Sequence, residues 1–244
     1  MKNPLMIWAL GLVFLILSGC NSTNNRGDKI INSDVKVAGA MKNVMMKGEL
    51  FGRVDLDTIS IKEHLYGLGP VEYLTGEILI VDGKAYSAYV LKDSAMKVKE
   101  SFKIKAPFLV YANVENWNEL NLPDSVESLN QLENYLDEIT KTRKRPFAFK
   151  LTGNAVSAGI HLVNLAKGSV VHSKEEAHVG EVKYFFKDQS VVLVGFFSTE
   201  HKGIFTHHDS FMHVHLITED RSIMGHLDEI KFKKGAMKLY LPED

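Results

Sequence analysis

FMHVHLITEDRSIMGHLD, residues 211–228, carries His213, His215 and His226, and its pattern decides both the fold and the chemistry expected of this chain. Alternate side chains of a β-strand share a face, so His-x-His points two imidazoles the same way. The polar run Glu219 to Ser222 reads as the turn of a hairpin, and a hairpin closed there sets His226 opposite His215. Facing residues have Cβ atoms about 4.5–5.5 Å apart, so three imidazoles reach one point. Three neutral imidazoles suit Zn²⁺ or a similar divalent ion and leave a position open for water or substrate, which is the arrangement of a catalytic metal. Histidine pairs on strands also occur with no ligand role, and it is the third histidine at the cross-strand position that favours the metal. Six of the ten histidines fall between His201 and His226; of the others in that stretch, His207 and His208 read as accessory ligands, as donors supporting the ligands or as loop residues, the last being preferred.

Outward from this hairpin, the chain after Pro146 is strand-like almost throughout, over 147–151, 156–165, 178–186, 191–197, 211–218, 223–232 and 237–241. Before Pro146 the pattern is mixed. Helices are expected over 37–46 and 58–65, the second followed by turn signals at Gly67, Gly69 and Pro70. Apolar runs 76–81 and 84–91 flank Asp82-Gly83, the signal of a type I′ hairpin, and 108–114 reads as a further strand. Asp124-Ser-Val-Glu127 has the form of a capping box, and Leu129, Leu132, Leu136 and Ile139 recur at helical spacing, which predicts a helix over 125–143. The class is therefore α+β, with mixed or antiparallel sheets and flanking helices. Two closely packed halves, 36–145 and 146–244, are expected within one domain over 36–244, with the metal site on the strand-rich C-terminal half.

The N-terminus reads as an export signal: Lys2, an apolar run from Leu5 to Leu17, then Leu17-Ser-Gly-Cys20, which resembles a bacterial lipobox. Residues 1–19 are then a lipoprotein signal peptide, Cys20 a lipid anchor and 20–35 a polar, flexible tether. Cys20 is the one cysteine in the sequence, which excludes an internal disulfide. The expected location is an exported, membrane-anchored lipoprotein on the periplasmic or extracellular face. A formal net charge of −1 with 24% charged residues describes an ordinary globular surface. The basic cluster 141–145 sits at a helix end, where cations meet the dipole, and no basic stripe with interleaved aromatics argues for nucleic acid.

Three segments resemble the α-acetolactate decarboxylases. One is Gly48-Glu-Leu-Phe-Gly52 with Ile61-Lys-Glu-His-Leu65 and Gly67-Leu-Gly69. Another is Leu74-Thr-Gly-Glu77 with Asp82-Gly-Lys-Ala-Tyr86. The third is Gly195-Phe-Phe-Ser-Thr-Glu200 with His213-Val-His215, Asp220-Arg221 and Gly225-His226. The resemblance covers most of the chain from Val37 onward. It implies a zinc-dependent carboxy-lyase that converts 2-acetolactate to acetoin and CO₂, with the ion on the three histidines acting as a Lewis acid for an enediolate and no thiamine or pyridoxal cofactor. It makes Glu77 the glutamate near the metal, for proton transfer or for orienting the oxygens at zinc. On residues alone, Glu77 reads as an outward hairpin carboxylate. Asp228 shares the strand face of His226 and is either a buttress or a solvated acid, while Asp220 and Arg221 shape the turn. A likeness of the third segment to small plant and prokaryotic conserved domains leaves the Gly-Glu and Asp-Gly segments unaccounted for.

The chain departs from the family pattern at three places. His161 stands where an arginine is expected, and histidine lacks the planar fork and permanent charge that suit a carboxylate. His161 then binds substrate as a cation, donates the proton, adds a metal contact or is an ordinary strand residue. Glu243 is the nearest counterpart of a C-terminal glutamate, and Phe211 replaces a glycine two positions before His213. Two other readings share these residues: an altered or inactive metal-binding protein of the same fold, and a lyase for another β-keto or α-hydroxy acid. The partners expected are 2-acetolactate and lipid at Cys20, with a homodimer left open and nucleic acid excluded.

Overall fold

The computed structural model describes residues 34–243; the expected signal segment, Cys20 and the tether as far as residue 33 lie outside them. In chain order the elements are β1 (Lys36–Ala38), α1 (Met41–Lys47), β2 (Val54–Asp55), β3 (Leu65–Pro70), β4 (Glu77–Val81), β5 (Lys84–Val90), β6 (Met96–Glu100), β7 (Lys105–Ala106), β8 (Leu109–Asn113), β9 (Trp117–Asn121), α2 (Leu129–Ile139), β10 (Phe147–Leu162), α3 (Lys174–Ala177), β11 (Val182–Phe197), β12 (Met212–Thr218) and β13 (Met224–Pro242). The fold is α+β, with antiparallel ladders and few helices.

Local turns start the sheets. Asp82 (φ 46°) and Gly83 (φ 74°) both take positive φ, as a type I′ turn demands, and close β4 onto β5. Six strands before Pro146 build one sheet in the order β1-β8-β3-β4-β5-β6, and β2 pairs with β7 in a small ladder of its own. Those after it build a second, β10-β11-β12-β13, with β10 also paired to β13 and β9 added at the far edge. Leu68, Leu79, Ala88 and Val110 of the first sheet pack on Ala148, Val194, Phe196 and Ile217 of the second, all fully buried. Each large side chain so buried is worth about 1.5–3 kcal/mol, enough to hold the two sheets together. Leu132 and Leu136 of α2 pack on the same core as Phe147, Phe149 and Leu151 of β10.

Several elements differ from the sequence expectations. The helix expected over 37–46 breaks at Gly39 (φ 72°), leaving β1 before it and α1 after. No α-helix forms over 58–65. Asp55 caps a 3₁₀ turn at Leu56–Thr58 instead, and β3 then runs through the supposed turn residues Gly67, Gly69 and Pro70, because Leu65 and Leu68 are buried between β4 and β8. Helix α2 starts late: Ser128, not Asp124, is the N-cap, its Oγ accepting from the N–H of Gln131, and the helix ends before Thr140 rather than at 143.

The strands expected in pairs after Pro146 merge. Segments 147–151 and 156–165 become β10, 191–197 joins most of 178–186 in β11, and 223–232 joins 237–241 in β13. The interruptions around Gly153 and Gly235 are absorbed as bulges, with register shifts around Gly153 and Ala155, while β11 passes Asp188 at positive φ without a shift in register.

Candidate metal centre

Strand register lays histidines across the second sheet. His215 of β12 pairs directly with His226 of β13, and His226 pairs on its other side with His161 of β10. His213 lies two residues before His215, on the same face. Gly225 permits the close approach of β10, since a Cβ there would lie 2.7 Å from the carbonyl oxygen of His161.

The rings of His213, His215 and His226 sit with centroids 4.9 to 5.3 Å apart. His207, from the loop before β12, joins them, its ring 4.9 Å from that of His226 and 5.5 Å from that of His213. One donor nitrogen from each of His207, His213 and His226 lies within 4.8 Å of the others. His207 is thus a loop residue, the preferred reading, and it also stands in the cluster, where the accessory-ligand reading placed it. The concentration of histidines between His201 and His226 was its one signal in the sequence.

Hydrogen bonds set the tautomers. Nδ1–H of His213 donates to the carbonyl of Phe205 (2.7 Å), and Nδ1–H of His215 to that of Ile78 (2.8 Å). Each ring therefore turns Nε2 inward, and that of His213 accepts from Nδ1–H of His226 at 3.1 Å. The buried Nε2 atoms of His207 and His215 have no hydrogen-bond partner among the described residues. Burial holds all four imidazoles neutral: it lowers His207 to about 4 and His215 to about 3, and His213 and His226 well below the ordinary value. Neutral rings, two of them oriented by carbonyl hydrogen bonds and two with an unpartnered Nε2, fit a divalent metal, whose ligating histidines are held by such bonds.

Glu77, the first residue of β4, is buried rather than outward-facing. Its Oε2 lies 3.7 Å from Nε2 of His215, at the seam between the sheets. Burial pushes its carboxyl up to about 8, against the lowering charge of His161 and a hydrogen bond from the backbone of Val163. A cavity of about 220 Å³ opens on this group, with Glu77, His161, His207, His213 and His226 on its polar side and Met41, Met45, Phe108 and Val163 on its apolar side. Such a mostly apolar pocket with a few convergent polar groups is where a small substrate binds.

His161 is buried at the rim, its ring 4.6 Å from that of His226. Its Nδ1–H donates to Asp228 at 2.7 Å. Burial opposes charge on His161, but that bond and the charges of Glu77, Asp228 and Glu181 outweigh it and raise its pKa. Asp228 thus supports His161. Two residues absent from the sequence reading, His178 and Glu181, complete this flank. Asp220 and Arg221 form the β12–β13 turn, the Asp220 carboxylate accepting from Thr218 and Ser222. Glu243 is exposed and is bound through its backbone N–H to Asn116, away from the cavity lining.

The family model described as alpha-acetolactate decarboxylase matches residues 39–243. The alpha-acetolactate decarboxylase of Brevibacillus brevis is 25% identical over 205 residues, which cover 81% of this chain and 66% of that protein. That of Methanosarcina mazei is 28% identical over 182 residues, 71% of this chain and 58% of that one. The chain thus spans less than two thirds of the length of either relative. The crystal structure of alpha-acetolactate decarboxylase from Bacillus subtilis strain 168 superposes with a TM-score of 0.70 at 18% identity, covering 86% of this chain and 85% of that chain, and so shares the fold. With the family model matched across nearly all of the described residues and the same architecture beneath it, the chain belongs to the alpha-acetolactate decarboxylase family.

Proposed function

We propose that this protein decarboxylates 2-acetolactate to acetoin and CO₂ at a zinc ion held by His213, His215 and His226, with His207 beside them. The observation that carries the reading is the convergence of three buried, neutral imidazoles, His207, His213 and His226, on a cavity that also holds the buried Glu77, with His215 behind them 3.7 Å from that carboxyl. When bound, the ion supplies Lewis acidity for the electron pair released as the C–C bond to the carboxylate breaks.

The chain's residues supply the rest. Loss of CO₂ leaves an electron pair that must end as a C–H bond, so one proton has to be delivered to carbon. Glu77 is proposed as that donor, through Oε2. Burial holds its carboxyl protonated up to about pH 8, and a divalent cation beside it favours the ionised form, so the group sits near the balance where it both gives and takes a proton. His161 is proposed as the catalytic position at the rim where the substrate carboxylate is held, in place of the arginine of the family pattern. The apolar wall of Met41, Met45 and Phe108 faces the substrate's methyl groups and limits water.

Acetoin formed from racemic 2-acetolactate by the purified protein, with and without chelator, tests the reading. Metal-dependent product above spontaneous decay is expected; product no faster than the spontaneous reaction would sink it. Export with lipid on Cys20 is proposed from the Leu17-Ser-Gly-Cys20 motif. Labelled fatty acid should enter the wild-type chain and not Cys20→Ser, and equal labelling of both would refute it.

A further inference from the structure

At the rim of the cavity, next to the histidine centre, a second set of donor atoms converges. Nε2 of His161 lies 3.7 Å from Oε2 of Glu181, and Nε2 of His178 lies 3.8 Å from the same oxygen. The three donor atoms fall within 4.8 Å of one another. Both tautomers are set from behind: His161 donates through Nδ1 to Asp228, and His178 donates through Nδ1 to the carbonyl of Lys174 at 2.6 Å. With Nδ1 of each ring engaged, both Nε2 atoms face one carboxylate oxygen. The other oxygen of Glu181 lies 3.7 Å from Nζ of Lys183.

We propose that His161, His178 and Glu181 form a second divalent-cation site, separate from the centre of His213, His215 and His226. The spacing is the first argument. With bonds of about 2.0–2.1 Å, the ligand atoms of a tetrahedral zinc stand about 3.3–3.4 Å apart, close to the separations here. A plain ion-pair network would close such gaps to about 2.7–2.9 Å, as His161 does with Asp228. The donor set is the second argument: two imidazoles and one carboxylate suit zinc or a similar ion, with Asp228 orienting His161 from outside. Exposure is the third. The His161 side chain is 9% exposed, Glu181 15% and His178 26%, so the site is sheltered yet open to a small ligand through the cavity that His161 and His178 line. Resting on the decarboxylase reading, the cation at this rim would give the substrate carboxylate the positive charge for which the family pattern provides an arginine.

The test uses the full chain, stripped with chelator, loaded with Zn²⁺, desalted and assayed by elemental analysis. Two equivalents are expected in the wild type, and one in each of His178→Ala, Glu181→Gln and His213→Ala, with wild-type circular dichroism. KM for 2-acetolactate should rise about tenfold in His178→Ala, as loss of one charge-assisted contact predicts. A single equivalent that survives both His178→Ala and Glu181→Gln but is lost in His213→Ala overturns the second site and leaves the decarboxylase reading standing. Two equivalents untouched by His178→Ala and Glu181→Gln also overturn it. No uptake by the wild type overturns both. Should His178→Ala fail to fold, Glu181→Gln, which keeps the side-chain shape, decides alone.

Discussion

Oε2 of Glu77 lies 3.7 Å from Nε2 of His215, and the same imidazole donates from Nδ1 to the carbonyl of Ile78, so one ring ties β4 of the first sheet to β12 of the second. The geometry leaves Oε2 of Glu77 facing the histidine centre. Glu77→Gln keeps the shape and hydrogen-bonding capacity of the side chain and removes its exchangeable acid. Turnover of 2-acetolactate is expected to fall about 10²–10⁴-fold, the contribution of a general acid, with zinc content unchanged. Unaltered turnover with full zinc would remove Glu77 from the chemistry.

The buried histidines make the metal-free protein sensitive to acid. Unfolded imidazoles take up protons below about 6.5, whereas folded His207 does so only near 4 and His215 only near 3, and His213 and His226 also lie well below the ordinary value. The unfolded state therefore binds more protons below 6.5, and stability falls as pH falls from there. Glu77 acts in the opposite sense: raised from 4.5 to about 8, it stabilises below 4.5 and loses that contribution as pH climbs to 8. His161, also raised, adds to the loss above 6.5. Four histidines outweigh one carboxyl on the acid side, so Tm of the chelator-treated protein should peak near pH 6.5 and decline both ways. A Tm that keeps rising from pH 6.5 to 8 would contradict the placement of Glu77.

The parts legible in the sequence are those carried by local periodicity. The His-x-His strand, the polar turn and the Asp82-Gly83 hairpin each follow from rules that span a few residues, and the His215↔His226 pairing follows from two of them together. Long ladders are a different matter. The breaks expected around Gly153, Asp188 and Gly235 are spanned once the strands pair along their whole length, by register shifts between β10 and β13 and by an unbroken β10–β11 register past Asp188. His207 lies in a loop without periodicity, held where β12 begins, so nothing local points it inward. His178 and Glu181 reach His161 through the β10–β11 register that sets His161 opposite Lys183, a contact between segments with no shared pattern. Helix α2 shows the smaller kind of difference: the capping box at Asp124 places the start four residues early, and with Leu132 and Leu136 packed in the core the helix begins after Ser128.

His207 adds a nitrogen that the three-histidine motif does not contain. Its buried Nε2 has no hydrogen-bond partner among the described residues, a cost that a bound cation would relieve. His207→Ala should leave one equivalent of zinc at the triad but weaken it about 10–100-fold in competition with a chelating dye, the range seen when a supporting residue of a metal site is lost. Unchanged affinity would return His207 to the role of a loop residue.

His161→Arg exchanges a candidate metal ligand for the residue of the family pattern, and separates charge from coordination. Arginine cannot ligate the rim cation, so total zinc should drop to one equivalent. Its guanidinium carries a permanent charge and a planar fork, with Asp228 and Glu181, the present partners of His161, near enough to hold it. If residue 161 serves to hold the substrate carboxylate, acetoin formation by His161→Arg should equal or exceed that of the wild type, with a lower KM, and should no longer respond to His178→Ala. If instead the imidazole itself moves the proton, His161→Arg will lose turnover while keeping the zinc of His213, His215 and His226. Measuring zinc content, KM and kcat on the same preparations distinguishes the two, because coordination, substrate binding and proton transfer each move a different one of the three.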